Sequence, residues 1–164
     1  MDGMTLSTEK PPVIVAPSSV YGIMGAEEFP ALVAEYAAES ALAGLPPPDA
    51  KMPLYSQLEQ MGRLHAFSAT IGDTLVGFIS LLVSPLPHYD GIPVAIGESF
   101  FVAAEHRKSG AGLRLMNAAE NRARELGCPG ILISAPFGGR LFELLPKCGY
   151  NESHRVFFKA LPNG

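Results

Sequence analysis

The sequence is poor in the residues that build disulfide frameworks and metal centres. Its 164 residues include only two cysteines, Cys128 and Cys148, which are too few for a disulfide framework or a zinc site. Three of its four histidines, His65, His106 and His154, show no spacing that is typical of metal ligands. We therefore predict no metal.

Long apolar runs and excess positive charge are also missing. No apolar run reaches the length of a membrane span, and the start of the sequence lacks a basic region followed by an apolar stretch. A formal net charge of −4 argues against non-specific binding to nucleic acid, which requires a basic surface. These absences predict a cytoplasmic protein without a membrane or nucleic-acid partner.

The composition is that of one globular domain. Hydrophobic residues make up 48% of the chain, enough for a sizeable core at this length. The polar residues 1–12 end in a pair of prolines, and no internal repeat follows them. We predict a flexible tail over residues 1–12 and a single domain over residues 13–164.

One stretch, residues 94–127, has the strongest pattern in the chain. Residues 94–103 are mostly apolar and include β-branched and aromatic side chains, which is typical of a buried strand. From Gly110 onward apolar residues recur at spacings of three and four, and Gly127 stands where a helix would end. The stretch predicts a strand, a glycine-rich turn and an amphipathic helix.

The turn between this strand and helix has the features of an anion site. A glycine-rich turn directs free backbone N–H groups at one point, and the dipole of the following helix adds partial positive charge there. The turn therefore predicts a phosphate or pyrophosphate site, although plain turn chemistry and solvated surface charges also explain its residues. Those residues are Arg107, Lys108, Ser109, Gly110, Ala111 and Gly112.

Two common phosphate motifs do not fit. A P-loop requires Lys and then Ser or Thr after its last glycine, whereas Leu113 and Arg114 follow Gly112. A dinucleotide-binding fingerprint requires a small residue where Leu115 stands, and it belongs to a repeating βαβ array that this chain lacks.

The pattern that remains is Arg-x-x-Gly-x-Gly after a strand that ends Phe-Phe-Val. It resembles the acetyl-CoA-binding motif of the GNAT family, the acetyl-CoA-dependent N-acetyltransferases. The stretch ESFFVAAEHRKSGAGLRLM is most similar to polyamine-type and small-amine members, which share a Glu nine residues before the Arg. The resemblance implies a single α/β domain with a mixed central sheet of about six to seven strands flanked by helices. Closing strands are predicted near residues 149–153 and 154–159.

The resemblance also implies the reaction and the cofactor site. Acetyl-CoA would donate its acetyl group to a primary amine of a small molecule by direct attack in a ternary complex, and a homodimer is expected. Its pantetheine arm would pair with the end of the strand, and its pyrophosphate would lie on the turn. The expected cofactor-binding residues are Phe101, Val102, Ala103, Arg107, Lys108, Ser109, Gly110, Ala111, Gly112 and Leu113.

Glu98 is the expected general base. Strand alternation predicts that it shares an apolar face with Ile96, Phe100 and Val102, where loss of water would make the carboxylate a stronger base. The catalytic carboxylate of polyamine-type members corresponds to this position. The structural alternative is that Glu98 pairs with a buried Arg or His, or caps a neighbouring backbone group.

The proton donor for the departing thiolate is not evident. Many members of the family carry a Tyr four residues before the glycine that corresponds to Gly149, and here Leu145 occupies that position. Solvent or one of three side chains could take its place: Tyr89, Cys148 and Tyr150. The missing Tyr leaves two rival functions open, a CoA-binding protein without turnover and an acetyltransferase that acts on proteins or peptides.

Overall fold

The computed structural model of the protein describes residues 11–46 and 52–161, with only the backbone at Met52. Within these residues one sheet has five strands in the order β1 to β5; the first four are antiparallel and β5 is parallel to β4. The strands are β1 (Val13–Ser18), β2 (Leu64–Ile71), β3 (Thr74–Leu86), β4 (Ile92–Val102) and β5 (Ile131–Leu132).

Helices cover both faces of this sheet, so the predicted α/β class is confirmed. None of the helices in the described ranges is long and apolar enough to cross a membrane. Short 3-10 turns follow β3 and β4 and end the last helix. The helices are α1 (Val20–Met24), α2 (Phe29–Ser40), α3 (Met52–Gln60), α4 (Ala111–Glu125) and α5 (Arg140–Leu144).

The prediction of six to seven strands is wrong for the described residues, because the two closing strands do not form. Residues 151–161 have no regular secondary structure and are exposed. The preceding strand, β5, is only two residues long. Such a short strand provides too few ladder hydrogen bonds to pair with a further strand. The predicted tail, residues 1–12, lies outside the described residues except for its last two.

Helix α4 packs on one face of the sheet, called here the α4 face. Its buried side chains recur every four residues at Ala111, Leu115, Ala119 and Ala123, all with relative exposures of 4% or less. Residues four apart lie on one side of a helix, and small alanine side chains let the helix lie close to the strands. This confirms the predicted strand, turn and amphipathic helix.

Helices α1, α2 and α3 cover the opposite face, called here the α2 face. An aromatic cluster joins α2 to the sheet: the ring of Tyr36 lies 5.8 Å from that of Phe101 and 6.5 Å from that of Phe78. Phe29 also packs on Phe78, with ring centroids 6.0 Å apart. These contacts hold α2 against the ends of β3 and β4.

A histidine on β2 is held in its neutral form. The Nδ1 atom of His65 accepts a hydrogen bond from Nε of Arg122 at 3.3 Å, and its Nε2 atom lies 3.0 Å from the carbonyl oxygen of Gly62. These partners require the proton on Nε2. Burial, and then the positive charge of Arg122, lower the pKa of His65 below its ordinary value of 6.5.

We expect this histidine to make the protein less stable in mild acid. Because the folded state binds the proton less tightly than the unfolded state, the free energy of unfolding falls as the pH drops below about 6.5. The loss is complete once the pH is below the lowered folded pKa of His65. Urea unfolding at several pH values between 5 and 7 measures this. The free energy of unfolding should change less steeply with pH in His65→Gln than in the natural protein. His88→Gln, which changes an exposed histidine, is the control, and equal slopes in all three proteins would contradict this account.

Candidate active site

A β-bulge sets the position of Glu98. Ser80 of β3 pairs with Ser99 of β4, but the next residue of β3, Leu81, pairs with Gly97, so Glu98 is the extra residue. A bulge interrupts the alternation of side chains along a strand and re-aims them, often beside active sites. Here it lets the consecutive side chains of Glu98 and Ser99 reach the same serine, Ser80.

The bulge overturns the predicted face of Glu98. Sequence alternation placed its side chain with Phe100 and Val102, but these two residues pack in the core of the α4 face. Glu98 instead hydrogen-bonds Tyr55 of α3, which packs on the α2 face. The prediction is wrong on this point because alternation assumes a regular strand, and the extra residue shifts the pattern by one.

Hydroxyl groups surround the carboxylate of Glu98. The Tyr55 hydroxyl donates to Oε1 at 2.8 Å, and the Ser80 hydroxyl donates to Oε2 at 2.7 Å. The hydroxyls of Ser80 and Ser99 are 2.8 Å apart. Since Ser80 has a single proton and gives it to Glu98, Ser99 must be the donor in this contact. Two hydroxyl protons thus point at the carboxylate, and the Ser99 hydroxyl supports Ser80 from behind.

Tyr55 is a neighbour of Glu98 that the sequence did not predict. Its phenol is half-buried, and burial, then the negative charge of Glu98, raise the pKa of Tyr55 well above its ordinary value. The phenol therefore keeps its proton and remains a donor at neutral pH. No local pattern links the two residues, which are 43 positions apart in the chain.

One edge of β4 is open beside this site. Strand β5 pairs only with Ala95 and Ile96, so β4 and β5 separate before the end of β4. From Gly97 to Val102 no other described strand lies on that edge. An extended chain could add to this edge through main-chain hydrogen bonds.

Three predicted cofactor residues lie at this end of β4, and their backbones point in different directions. The N–H of Ala103 donates to the carbonyl oxygen of Val76 in β3 at 2.9 Å, so it is used within the sheet. Backbone direction alternates along a strand, which turns Val102 towards the open edge and Phe101 towards β3. Of the three residues predicted to pair with the pantetheine arm, Val102 is the one whose backbone faces the open edge.

Arg107 joins the end of β4 to α2. Its Nε donates to the carbonyl oxygen of Val102 at 3.0 Å, and its guanidinium pairs with Glu39 of α2. The guanidinium carbon also lies 5.4 Å from the centre of the Phe101 ring, a cation–π contact. The structure therefore gives Arg107 three protein partners, and its contact with the cofactor stays a prediction.

The glycine-rich turn leads directly into α4. Gly110, with φ of 85°, is the residue before the helix, and the Ser109 hydroxyl accepts from the N–H of Ala111 at 3.2 Å. The N–H groups of Gly112 and Leu113 belong to the first helical turn, where a helix supplies no acceptor of its own. They lie at the positive end of a helix of 15 residues, as an anion site requires.

Neither the backbone nor the packing of the protein explains the glycine at position 112. Gly112 is within the helix, and a Cβ added there would lie 3.7 Å from Cζ of Phe100 and 3.8 Å from Cγ2 of Val102, which are ordinary contacts. A small side chain would therefore fit at this position without a clash. Lys108, which is exposed in the same turn, adds positive charge. These residues fit a pyrophosphate group.

The other candidate proton donors do not surround Glu98. The Tyr150 hydroxyl donates to Oε1 of Glu120 on α4 at 2.9 Å, which places it on the α4 face. Burial and the hydrogen bond to Glu120 raise the pKa of Tyr150. Tyr150 and Cys148 line a cleft of about 610 Å³ beside α4 and β5, and Glu98 is not among its lining residues. Tyr89 is 58% exposed on the surface.

Solved structures share this fold at low sequence identity. An aminoglycoside N-acetyltransferase in complex with CoA has 20% identity and a TM-score of 0.72, over 94% of this chain and 97% of that chain. Ribosomal-protein-alanine N-acetyltransferase from Brucella melitensis biovar Abortus 2308 has 20% identity and a TM-score of 0.67, over 90% and 97%. Glucosamine-6-phosphate N-acetyltransferase from Arabidopsis thaliana has 10% identity and a TM-score of 0.69, over 90% and 97%.

Sequence comparison identifies the family. The model of the acetyltransferase (GNAT) family matches residues 32–150, well over half of the chain. No curated protein sequence matches the chain significantly. The matched range contains the bulge, the open edge of β4 and the glycine-rich turn. The chain therefore belongs to the acetyltransferase (GNAT) family and is an N-acetyltransferase with acetyl-CoA as its co-substrate.

Proposed function

We propose that the protein transfers an acetyl group to a primary amine of a small molecule by direct attack in a ternary complex. Glu98 is the general base in this proposal. The observation that carries it is the set of hydroxyl donors around the Glu98 carboxylate, four residues before the open part of β4 ends at Val102. An ionised carboxylate beside an open strand edge can take a proton from an amine that enters there.

The chain supplies binding groups along one continuous path. The N–H groups of Gly112 and Leu113, with Lys108 beside them, would hold the pyrophosphate, and the open edge at Val102 would pair with the pantetheine arm. Acetyl-CoA supplies the activated acetyl group. A carboxylate such as Glu98 is needed because an amine attacks only after it has lost its extra proton. Free thiols have a pKa of about 8.5, so water can protonate the departing thiolate without a dedicated acid.

The choice of a small amine rests on two observations. The stretch from Glu98 to Arg107 resembles polyamine-type and small-amine members of the family, and the net charge of −4 suits a cationic acceptor. Of the three structures compared above, one is named for aminoglycosides and one for an amino sugar phosphate, which are small amines. The third is named for a ribosomal protein.

The test is release of free CoA, followed with a thiol reagent, when acetyl-CoA and candidate acceptors are added to the purified protein. One panel contains polyamines, aminoglycosides and amino sugars, and a matched panel contains peptides with free N-termini or lysines. Turnover with small amines supports the proposal. Turnover with peptides alone would establish a protein acetyltransferase, and calorimetric binding of acetyl-CoA without any turnover would establish a CoA-binding protein.

We also propose that the protein is a homodimer formed through residues 151–161. In this segment Val156, Phe157 and Leu161 are 89%, 90% and 79% exposed, which is unusual for apolar side chains so close together. A second copy would cover these side chains, since a two-fold axis lets each segment pack on the other chain.

Light scattering should then give twice the mass of one chain. Phe157→Glu is expected to give a monomer, because it places a charge in the proposed interface. Tyr21→Glu is the control: Tyr21 is 74% exposed but lies on α1, outside the segment. A monomeric natural protein at high concentration would overturn the homodimer.

A further inference from the structure

The two hydroxyl donors of Glu98 come from different layers of the molecule. Ser80 is on β3, directly beside β4, and is only 4% exposed. Tyr55 is on α3, a separate helix, and its phenol is half-buried. Ser80 is therefore part of the rigid sheet, whereas Tyr55 is the donor that α3 brings to the outer side of the carboxylate.

Within residues 11–46 and 52–161, no cationic side chain pairs with the Glu98 carboxylate. In these residues Glu98 forms no ion pair with Lys, Arg or His, so hydroxyl groups alone stabilise its charge. A further titratable group beside it is Tyr36 of α2, whose pKa is raised by burial and then by the charge of Glu98. Tyr36 packs on Phe78 and Phe101 and forms no hydrogen bond with the carboxylate.

We propose that Tyr55 is a positioning residue for Glu98, which holds the carboxylate ionised and oriented to receive the proton of the acceptor amine. This inference rests on the proposed function. Oε1 of Glu98 keeps a second lone pair after it accepts from Tyr55, so the phenol directs the carboxylate without blocking it. The phenol is a donor throughout, and the amine proton moves to Glu98 alone.

Removing the Tyr55 hydroxyl should change the pH dependence of the reaction, which a change in packing alone would not do. A carboxylate that has lost one of two hydrogen bonds to its charged form takes up a proton more readily. Tyr55→Phe should therefore move the acidic limb of the kcat/KM profile to higher pH, by about 1 to 2 pH units for one charge-assisted hydrogen bond. The KM for acetyl-CoA should not change, because the turn and the open edge are untouched.

Tyr36→Phe is the matched control. It removes a neighbouring hydroxyl from the same face and should leave the acidic limb where it is, because that hydroxyl does not bond Glu98. A Tyr55→Phe profile that is lower at every pH but not shifted would show a purely structural role and overturn the proposal.

A second measurement does not depend on turnover. In protein labelled with ¹³C at glutamate side-chain carboxyls, Glu98→Gln identifies the Glu98 signal, and its pH titration is then followed in each variant. We expect the midpoint to rise in Tyr55→Phe and to stay unchanged in Tyr36→Phe. Equal midpoints in the natural protein and Tyr55→Phe would refute the role of Tyr55. A shifted midpoint without turnover of any amine would instead refute the proposed function and leave the positioning of Glu98 intact.

Discussion

Gly112→Glu is expected to abolish acetyl-CoA binding while the protein remains folded. The new side chain would enter the space above the first turn of α4 and bring a negative charge to the point where phosphates approach. Two like charges about 4 Å apart repel by roughly 4 kcal/mol at an effective dielectric constant near 20, so affinity should fall by about 1,000-fold. Calorimetric titration with acetyl-CoA measures this directly.

The fold should survive because a Cβ at position 112 makes only ordinary contacts with Phe100 and Val102. Asn117→Glu is a matched control, since it adds the same charge to an exposed position of the same helix beyond the first turn. It should bind acetyl-CoA nearly as well as the natural protein. Unchanged affinity in Gly112→Glu would rule out the pyrophosphate site on this turn.

Glu98→Gln is expected to lower kcat by roughly 100-fold, with little effect on acetyl-CoA affinity. The amide has nearly the same shape as the carboxylate but cannot take up the amine proton. Its nitrogen also faces hydroxyl protons from Tyr55 or Ser80, so one hydrogen bond must rearrange. Steady-state rates with an amine from the productive panel, together with calorimetry, separate the two effects.

Tyr150→Phe provides the comparison for this experiment. It removes a hydroxyl that bonds Glu120 on the α4 face, away from Glu98, so kcat should stay within several-fold of the natural value. If Tyr150→Phe cost about 100-fold in kcat with binding intact, Tyr150 would be the missing acid. A pH–rate profile that is the same in Glu98→Gln and in the natural protein would show that another group takes the proton.

The two largest predicted effects concern positions that lie close together in the fold. Strand β4 carries the bulge at Glu98 and the open edge at Val102, and the turn that begins α4 follows within ten residues. Base and phosphate site are thus joined by one strand and one turn. The hydrogen bond of Arg107 to Val102 and its ion pair with Glu39 hold this strand and turn against α2.

Local patterns were enough to predict the elements around this turn. The glycine-rich turn and the amphipathic period of α4 are both properties of neighbouring residues. Such features depend little on the rest of the fold, so the sequence alone determined them.

The arrangement around Glu98 was decided only by the tertiary structure. The bulge exists because β3 and β4 pair out of step at Ser80, and no residue pattern within β4 indicates which position is the extra one. Tyr55 reaches Glu98 because α3 packs across the sheet, 43 positions away in sequence. The closing strands likewise do not form beside the two-residue β5, although residues 154–159 have strand-forming side chains. Strand pairing and helix packing join residues that are distant in the chain, and side-chain periodicity contains no information about which distant residues will meet.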